Sequence, residues 1–505
     1  MGSCRVTRPL GYNEQYELAQ YTLGYSRGVS TACRLTVPGK VHQSGQGHLK
    51  SIIYRAIASV VSESPLLQAT IKDSESKKPV WVHTGSVDLG KHVEWIELEP
   101  LDDRDGLLQE KIMAELDAEF ADLTMRPAWR VAILQWAEGE ELDVLFTWNH
   151  AHTDGMGGRI FLERLQASLI LETQKETTTM MVTNLEVPCP DTPLRFPPST
   201  ELFVDLPMSM GFLLQQAWNE TKPTSIFPNP NTATWAPIKT TPYKTNVRTF
   251  TVNNATLSGV LVACRSNQTT LTALLHGLIL LSLASRLDED AAPSFASLTA
   301  IDQRRFLPSH PQSYPWLEPS ATIANYVTNT THEFNKALVS QMRAQSDQGL
   351  REDEISDNTI ELIWSASRRV RADMEARLQK GLRDDRLGLM KFVSNARTLF
   401  EKEVRKPRAL SWAISNLGMM DGIPSRGGVH TGGEKTWEVR RAQFTLSAHV
   451  PDAALLIAAV SLKGGDLVTT CSWQDTVVED TLAERVVKDL ERWMTRIGFS
   501  VVSKA

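Results

Sequence analysis

A proline-rich stretch near the middle of the chain constrains the fold more than any other feature of the sequence. Eleven prolines fall within residues 188–245, and one apolar run, Leu202–Trp218, interrupts them. Proline lacks a backbone N–H and fixes its own φ, so such a stretch can neither build a sheet interior nor continue a helix, and we expect a helix only after Pro207. We therefore predict a long crossover over residues 188–245 between an N-terminal lobe (1–187) and a C-terminal lobe (246–505).

The two flanking parts alternate helical and strand patterns in a similar order, which predicts two α+β lobes of similar size. A chain of 505 residues is also too long for one simple core. The predicted helices are Leu49–Val61, Asp105–Phe120, Met156–Glu172, Leu271–Arg286 and Leu482–Ile497, and a polar, helix-rich insertion is expected over His332–Lys406. The predicted strands are Leu66–Ile71, Trp129–Trp136, Leu142–Trp148, Val247–Val252, Phe295–Ile301, Ala409–Ile414, Gln443–His449, Ala454–Ser461 and Leu467–Trp473.

The segment Asn149–Gly155, which reads NHAHTDG, lies where the predicted hairpin ends and the next helix begins. At such a junction a side chain can be both fixed by its neighbours and reachable by a ligand. His150 can serve as a general base near neutral pH, because the ordinary pKa of histidine is about 6.5. Gly155 permits a close approach of another chain segment that a β-carbon would obstruct.

Three interpretations of this segment remain open on the residues alone. In the first, His150 is a base, Asp154 braces the loop and His152 points elsewhere. In the second, His150, His152 and Asp154 bind one metal ion, as in the HxHxDH signature of metallo-β-lactamases, although Gly155 stands where that signature needs another histidine. In the third, the segment is a surface loop that contains two histidines by chance.

Composition narrows the class of protein. The formal net charge of −6, without any Lys/Arg run, argues against a nucleic-acid partner. Five widely spaced cysteines without a CxxC pair fit a reducing compartment rather than a disulfide framework or a zinc ribbon. The most apolar run, Leu271–Ala284, is too short to span a bilayer, and the N-terminus lacks an apolar signal core. We therefore expect a cytoplasmic protein without stable membrane insertion.

Three further segments place polar residues where apolar strands end. SLTAIDQRRF (Ser297–Phe306) carries Asp302, Arg304 and Arg305, and IANYVTN (Ile323–Asn329) follows a proline-broken loop. SWAISNLG (Ser411–Gly418) is an apolar strand that ends in a serine, an asparagine and a glycine.

Together with NHAHTDG, these segments resemble the fungal alcohol O-acetyltransferases, a family in the superfamily of chloramphenicol acetyltransferases, BAHD acyltransferases and condensation domains. His150, Asp154 and Gly155 match the HxxxDG motif, Asp302-Gln-Arg304 is similar to the D-x-R element, and residues 415–418 match SNLG. The resemblance covers almost the whole chain, with the motifs in the family's order. Departures are Asn149 in place of the first histidine of HHxxxDG, the absence of a DFGWG motif, and Ala324 in place of the glycine of the G-N element, which lowers the weight given to that loop.

The resemblance implies a fold of two chloramphenicol-acetyltransferase-like lobes, each a mixed sheet with flanking helices, and an active-site tunnel between them. His150 would then be the general base, and Asp154 would pair with Arg304 rather than transfer a proton. Arg305, one residue on in a strand-like segment, should face the opposite way. Asn416 and Ser415 are the candidate donors of hydrogen bonds to the oxyanion. An equally weighted alternative is that Asn416 only caps or braces the backbone.

The implied reaction is transfer of an acyl group from acyl-CoA to an alcohol, with acetyl-CoA as co-substrate, no permanently bound cofactor and no metal. The implied acceptor is a hydroxyl of a fungal terpenoid or polyketide, in a monomeric enzyme. The alternatives are a short-chain alcohol acetyltransferase that makes volatile esters, a zinc hydrolase that uses His150, His152 and Asp154, and a condensation-like protein that acts on carrier-bound thioesters.

Overall fold

The computed structural model describes residues 5–99, 103–136, 140–175, 185–189, 195–223, 226, 229–349, 356–422 and 436–502. Its strands are β1 (Arg5–Pro9), β2 (Gly28–Thr36), β3 (Ala69–Lys72), β4 (Val80–His83), β5 (Ser86–Asp88), β6 (Val93–Leu98), β7 (Trp129–Trp136), β8 (Glu141–Asn149), β9 (Glu186–Pro188), β10 (Thr245–Val252), β11 (Phe295–Asp302), β12 (Val327–Phe334), β13 (Trp412–Met420), β14 (Glu438–Leu446), β15 (Leu455–Leu462) and β16 (Leu467–Gln474). Its helices are α1 (Tyr12–Thr22), α2 (Gly39–Gln43), α3 (Gln46–Ser62), α4 (Arg104–Asp117), α5 (Gly155–Gln174), α6 (Met210–Thr221), α7 (Asn254–Ser266), α8 (Leu271–Ala284), α9 (Lys336–Gly349), α10 (Asp357–Lys380), α11 (Ala396–Glu403) and α12 (Asp480–Val502).

The C-terminal lobe is built on a six-stranded mixed sheet in the order β10-β16-β15-β13-β11-β12. Strand β13 lies parallel to both β11 and β15, whereas the other neighbours are antiparallel. Helix α8 is apolar on all sides and buried over nearly its whole length, since it packs inside the largest core cluster. Because β11 and β13 are parallel neighbours, the segments that follow them leave the sheet at the same edge.

The sheet of the N-terminal lobe has the order β14-β2-β8-β7-β6, so its first strand comes from the C-terminal part of the chain. Strand β14 pairs with β2 in antiparallel register from Glu438 opposite Thr36 to Leu446 opposite Val29. The predicted boundaries at 1–187, 188–245 and 246–505 therefore do not coincide with the sheets, because β14, which lies in the third segment, belongs to the sheet of the first. Strand β14 of this sheet is followed along the chain by β15 of the six-stranded sheet. The two sheets contact each other, since the hydroxyl of Thr470 on β16 donates to the carbonyl oxygen of Phe444 on β14 at 2.7 Å.

Most predicted elements are confirmed to within a few residues, among them the β7–β8 hairpin, the helix after NHAHTDG and the buried helix α8. Two predictions are wrong. Leu66–Gln68 form a 3₁₀ turn that begins at a proline, so the strand starts only at Ala69. His332 lies inside β12, where it pairs with β11, so the helical insertion begins after Phe334.

Four of the five cysteines are free and buried, while Cys4 lies outside the described residues. Within the described residues, none of the helices combines the length and the apolar character needed to cross a bilayer.

Candidate active site

The HxxxDG segment forms the loop between β8 and α5, and its own backbone is tied in several places. The side chain of Asn149, fully buried, accepts a hydrogen bond from the N–H of Ala151 at 2.9 Å, and its carbonyl accepts from the N–H of His152. The indole N–H of Trp148 donates to the carbonyl of Thr153 at 2.8 Å. These bonds satisfy the backbone polar groups that a loop at this depth would otherwise leave unpaired.

His150 is half-buried directly after the end of β8. The side-chain amide of Asn325 donates to the carbonyl oxygen of His150 at 2.8 Å, and its nitrogen lies 3.5 Å from Nδ1 of the ring. Within the described part of the chain, nothing hydrogen-bonds Nε2. Asn325 therefore fixes the backbone of His150 and lies beside the Nδ1 edge of its ring.

Asp154 is buried and accepts three hydrogen bonds from three separate elements. One oxygen accepts from the N–H of Gly157 at 2.8 Å and so caps the N-terminus of α5. The other accepts from the guanidinium of Arg304 and from the N–H of Tyr326, each at 2.7 Å. The predicted contact between Asp154 and Arg304 is confirmed, and it joins the lobes across the crossover.

The guanidinium of Arg304 is almost completely buried and carries several bonds at once. It donates to the carboxylate of Asp302 at 3.0 Å and to the carbonyl oxygens of Thr322 and Ala324. Burial opposes its charge, but the charges of Asp154 and Asp302 outweigh this and raise the pKa of Arg304 above its ordinary value. A single nitrogen of Arg304 contacts one oxygen of Asp154, and the N–H of Gly157 occupies the other oxygen. Arg305 is exposed, as predicted, but Gln303–Phe306 form a 3₁₀ turn rather than the strand-like segment from which that orientation was predicted.

The loop over residues 323–326 contributes more to the site than the sequence indicated. The carbonyl oxygen of Ala324 accepts from Arg304 at 2.8 Å and from the hydroxyl of Thr153 at 3.1 Å, and Asn325 and Tyr326 hold His150 and Asp154. The prediction that this loop has little role in the site, which was based on Ala324 in place of a glycine, is therefore wrong. A backbone carbonyl is offered by any residue, so the residue type at 324 carried no signal of this role.

The glycines of the motif are explained by close packing. A β-carbon on Gly155 would stand 2.7 Å from the ring of Phe444 on β14 and 2.9 Å from the side chain of Leu417 on β13. One on Gly158 would overlap the indole of Trp148. The start of α5 therefore packs directly on strands of the C-terminal part of the chain, which brings the SNLG segment next to the HxxxDG segment.

His152 is turned away from His150 and buried beside the indole of Trp81, with ring centroids 4.7 Å apart. Its Nε2 lies 3.1 Å from the carbonyl oxygen of Ala69 and 3.2 Å from the backbone nitrogen of Ala128. Burial lowers the pKa of His152 to about 4, although the contact with Ala69 opposes this.

These placements bear on the metal-site interpretation. The carboxylate of Asp154 is fully engaged with Arg304 and two backbone N–H groups, and His152 contacts backbone on the other side of the loop. The described residues contain no group of three or more His, Cys, Asp or Glu side chains arranged to hold a metal ion. The geometry of the loop thus gives the zinc-hydrolase alternative no support.

The candidate oxyanion donors lie at the end of β13. The amide nitrogen of Asn416 donates to the hydroxyl of Thr272 on α8 at 3.1 Å, and its oxygen accepts from the N–H of Gly418 at 2.8 Å. Gly418 has a φ of +73°, which favours glycine and lets the strand bulge at this point. Ser415 is half-buried one residue earlier. These contacts are bracing contacts for Asn416, and an oxyanion role for either side chain stays a prediction.

Two mixed sheets with an HxxxDG loop between them form a two-lobe fold that solved structures share. The trichothecene 15-O-acetyltransferase TRI3 of Fusarium sporotrichioides matches with a TM-score of 0.69 at 14% identity, over 98% of this chain and 96% of that one. The first condensation domain of the calcium-dependent antibiotic synthetase matches with a TM-score of 0.58 at 12% identity, over 98% and 97%. At such identities the likeness establishes the fold alone.

Sequence comparison gives the family. The sequence model of the alcohol acetyltransferase family matches residues 103–488, and the chain therefore belongs to that family and is an acyltransferase. A probable alcohol acetyltransferase of Fusarium pseudograminearum, FCK4, is 27% identical over 98% of this chain and 96% of its own length. A probable alcohol acetyltransferase of Aspergillus fumigatus, crmB, is 22% identical over 94% and 96%. Membership implies an acyl-CoA co-substrate and a small-molecule alcohol.

Proposed function

We propose that the enzyme transfers an acetyl group from acetyl-CoA directly to a hydroxyl of a fungal secondary metabolite, with His150 as the general base. The observation that carries the proposal is the position of His150, whose backbone is held by Asn325 and whose Nε2 no described residue hydrogen-bonds. A base at Nε2 is the neutral ring protonated on Nδ1, so the amide nitrogen of Asn325, 3.5 Å from Nδ1, does not donate to the ring in this state. Nε2 takes the proton of the alcohol as its oxygen attacks the thioester carbonyl carbon. The tetrahedral intermediate then expels the CoA thiolate, which receives the proton back from the imidazolium.

No acyl-enzyme is required, because an enzyme that binds both substrates together gains much of its rate from proximity. Asp154 and Arg304 act in this scheme as positioning residues, since their contacts fix the loop and the start of α5 but leave no free oxygen for proton transfer. Ser415 and Asn416 remain the candidate donors to the oxyanion, and a single donor of this type is commonly worth about 3 kcal/mol.

A terpenoid or polyketide alcohol is favoured over a short volatile one. TRI3, which shares the fold, is named a trichothecene 15-O-acetyltransferase, and the crossover lies beside the candidate site, since the carbonyl oxygen of Pro198 accepts from the hydroxyl of Tyr326 at 2.7 Å.

The test is release of free CoA thiol from acetyl-CoA in the presence of alcohols. We expect the substitution His150→Ala to lower kcat at least a hundredfold, while His42→Ala, a control at an exposed histidine of α2, retains wild-type rates. Full activity of the His150 variant would refute the mechanism. Stoichiometric zinc in the purified protein, with loss of activity on chelation, would favour the hydrolase instead.

A further inference from the structure

The peptide between Leu417 and Gly418 is held at both of its ends. Its carbonyl oxygen accepts a hydrogen bond from the guanidinium of Arg159 at 2.8 Å, and its N–H donates to the side-chain oxygen of Asn416 at 2.8 Å. The pairing of β13 with β15 shifts register between Asn416 and Met419, so regular strand pairing does not fix this peptide. The two side-chain contacts fix it instead.

Arg159 reaches this peptide from the helix that begins at the HxxxDG motif. It lies one turn after Gly155 on α5, so the two residues share a face of the helix. Gly155 packs so closely on the side chain of Leu417 that a β-carbon would stand 2.9 Å from it, and Arg159 binds the carbonyl oxygen of the same leucine. Nε of Arg159 also donates to the carboxylate of Glu163 at 2.7 Å, which steadies the guanidinium. The start of α5 is therefore bonded to the SNLG segment.

The side-chain amide of Asn416 has a fixed orientation. A backbone N–H can only donate, so the atom that meets Gly418 is the amide oxygen, and the amide nitrogen lies on the side of Thr272. This nitrogen carries two N–H groups. One donates to the hydroxyl of Thr272 at 3.1 Å, and the other has no partner in the part of the chain that the structure describes. Asn416 is half-buried, in contrast to its buried neighbour Leu417, so one N–H remains for a substrate atom.

The surroundings of this amide suit a negative charge. Thr272 is the second residue of α8, so the amide of Asn416 lies beside the N-terminus of that helix. A helix N-terminus carries a partial positive charge that stabilises an anion close to it. The oxyanion of a tetrahedral intermediate is such an anion, and donors that are already in place before the reaction stabilise it most.

We propose that Arg159 and Thr272 are positioning residues, which hold the amide of Asn416 so that its second N–H donates to the oxyanion. Arg159 acts through the peptide that follows Leu417, and Thr272 acts by direct contact. The proposal rests on the proposed function, since it assumes that attack on the thioester carbonyl forms an oxyanion at this site. Because α5 begins five residues after His150, one helix follows the loop of the base and also makes the contact that orients the donor.

The experiment combines a positioning residue with the residue on which it acts. The full-length enzyme is supplied with acetyl-CoA and either menthol or 1-decanol, and thiol release gives kcat and KM for wild type, Arg159→Met, Asn416→Ala and the double variant. One donor to an oxyanion commonly contributes a factor of about 100–1000 to kcat, so we expect Asn416→Ala to lower kcat about a hundredfold or more. Arg159→Met should lower kcat about tenfold and leave KM within about twofold, because the oxyanion forms only after the substrates are bound.

The double variant separates positioning from a general loss of structure. If Arg159 acts through Asn416, then Arg159→Met should lower kcat by no more than about twofold when residue 416 is already alanine. Arg159→Lys still carries a donor for the carbonyl oxygen of Leu417, and it should recover kcat to within about threefold of wild type. A loss that came from general damage to α5 would instead multiply with the loss from Asn416→Ala.

Two further variants complete the comparison. Arg55→Met is the matched control, because it removes a half-buried arginine of α3 that donates to Glu172 near the other end of α5, and it should keep the wild-type kcat. Thr272→Val removes the other contact of the Asn416 amide and should lower kcat about tenfold, again with no further loss beside Asn416→Ala. It carries the same test if Arg159→Met does not fold.

The outcomes are distinguishable. An unchanged kcat in Asn416→Ala or in Arg159→Met, or a loss from Arg159→Met that persists in full beside Asn416→Ala, would overturn the positioning role and leave the proposed function standing. A higher KM at an unchanged kcat would overturn it as well. Absence of thiol release by the wild-type enzyme with both alcohols would contradict the proposed function, and the positioning role with it.

Discussion

Removal of the Asp154 carboxylate tests whether this residue stabilises the site rather than transferring protons. Asp154→Ala leaves the buried guanidinium of Arg304 without its nearest carboxylate and leaves two backbone N–H groups unpaired. Breaking a buried ion pair on one side costs about 3–5 kcal/mol. Asp302 and two carbonyl oxygens still contact Arg304, so we expect the lower end of that range for the pair.

The same carboxylate also caps α5, and losing a cap typically costs about 1 kcal/mol. The two losses do not simply add, because one side chain makes both contacts, and the expected total is about 3–4 kcal/mol. The assay is urea unfolding followed by tryptophan fluorescence, in a cycle of Asp154→Ala, Arg304→Met and the double variant. Asp302→Ala is the control, with an expected loss of about 1 kcal/mol, because Asp302 is partly exposed and lies farther from the guanidinium.

We expect the double variant to lose at least 1 kcal/mol less than the sum of the single variants, because the second substitution removes the charge that the first left unpaired. Additivity within about 0.5 kcal/mol would refute the reasoning, since it would mean that the two side chains do not depend on each other.

Three other substitutions give separate tests. Asn325→Ala should lower kcat about tenfold with little change in KM in the thiol assay, because it removes the hydrogen bond that holds the backbone of His150, and an unchanged kcat would contradict this. Gly155→Ala should cost about 1–3 kcal/mol of stability, measured by thermal unfolding, and Phe444→Leu should recover part of it by making room; a wild-type melting temperature would disprove the clash. The folded-state pKa of His152 is lowered to about 4 against about 6.5 unfolded, so its contribution to stability is complete above pH 6.5 and is lost as the pH falls to 4. His152→Gln should therefore lose stability less steeply than wild type in that window, by up to about 1.4 kcal/mol per pH unit in urea titrations, and parallel curves would count against it.

The sequence predicted the parts of the site that depend on side-chain chemistry. A buried carboxylate needs a cation, and the resemblance to the family indicated Arg304, whose contact with Asp154 is confirmed. The third partner of Asp154 is the backbone N–H of Tyr326, and the carbonyl of Ala324 binds Arg304. Backbone groups are the same in every residue, so only the folded chain reveals which of them are used.

Strand β2 is an element of the fold that the sequence alone does not predict. Its sequence, GVSTACRLT, mixes small, polar and apolar residues without alternation, because the strand lies between β14 and β8 and is buried on both faces. Alternation is a signal only where one face meets solvent. The strands β7 and β8 were recognisable because they are rich in aromatic and branched residues and are joined as a hairpin.

Strand β14, from the C-terminal part of the chain, completes the sheet of the N-terminal lobe, and this has a consequence during synthesis on the ribosome. The residues of β2 that pair with β14 emerge 402 residues ahead of their partners, the difference between positions 438 and 36. At about 5–20 residues per second, the edge of β2 stays open for roughly 20–80 s in the growing chain. An unpaired edge of this length can pair with other chains, so association of nascent chains through β2 is open until β14 has been made.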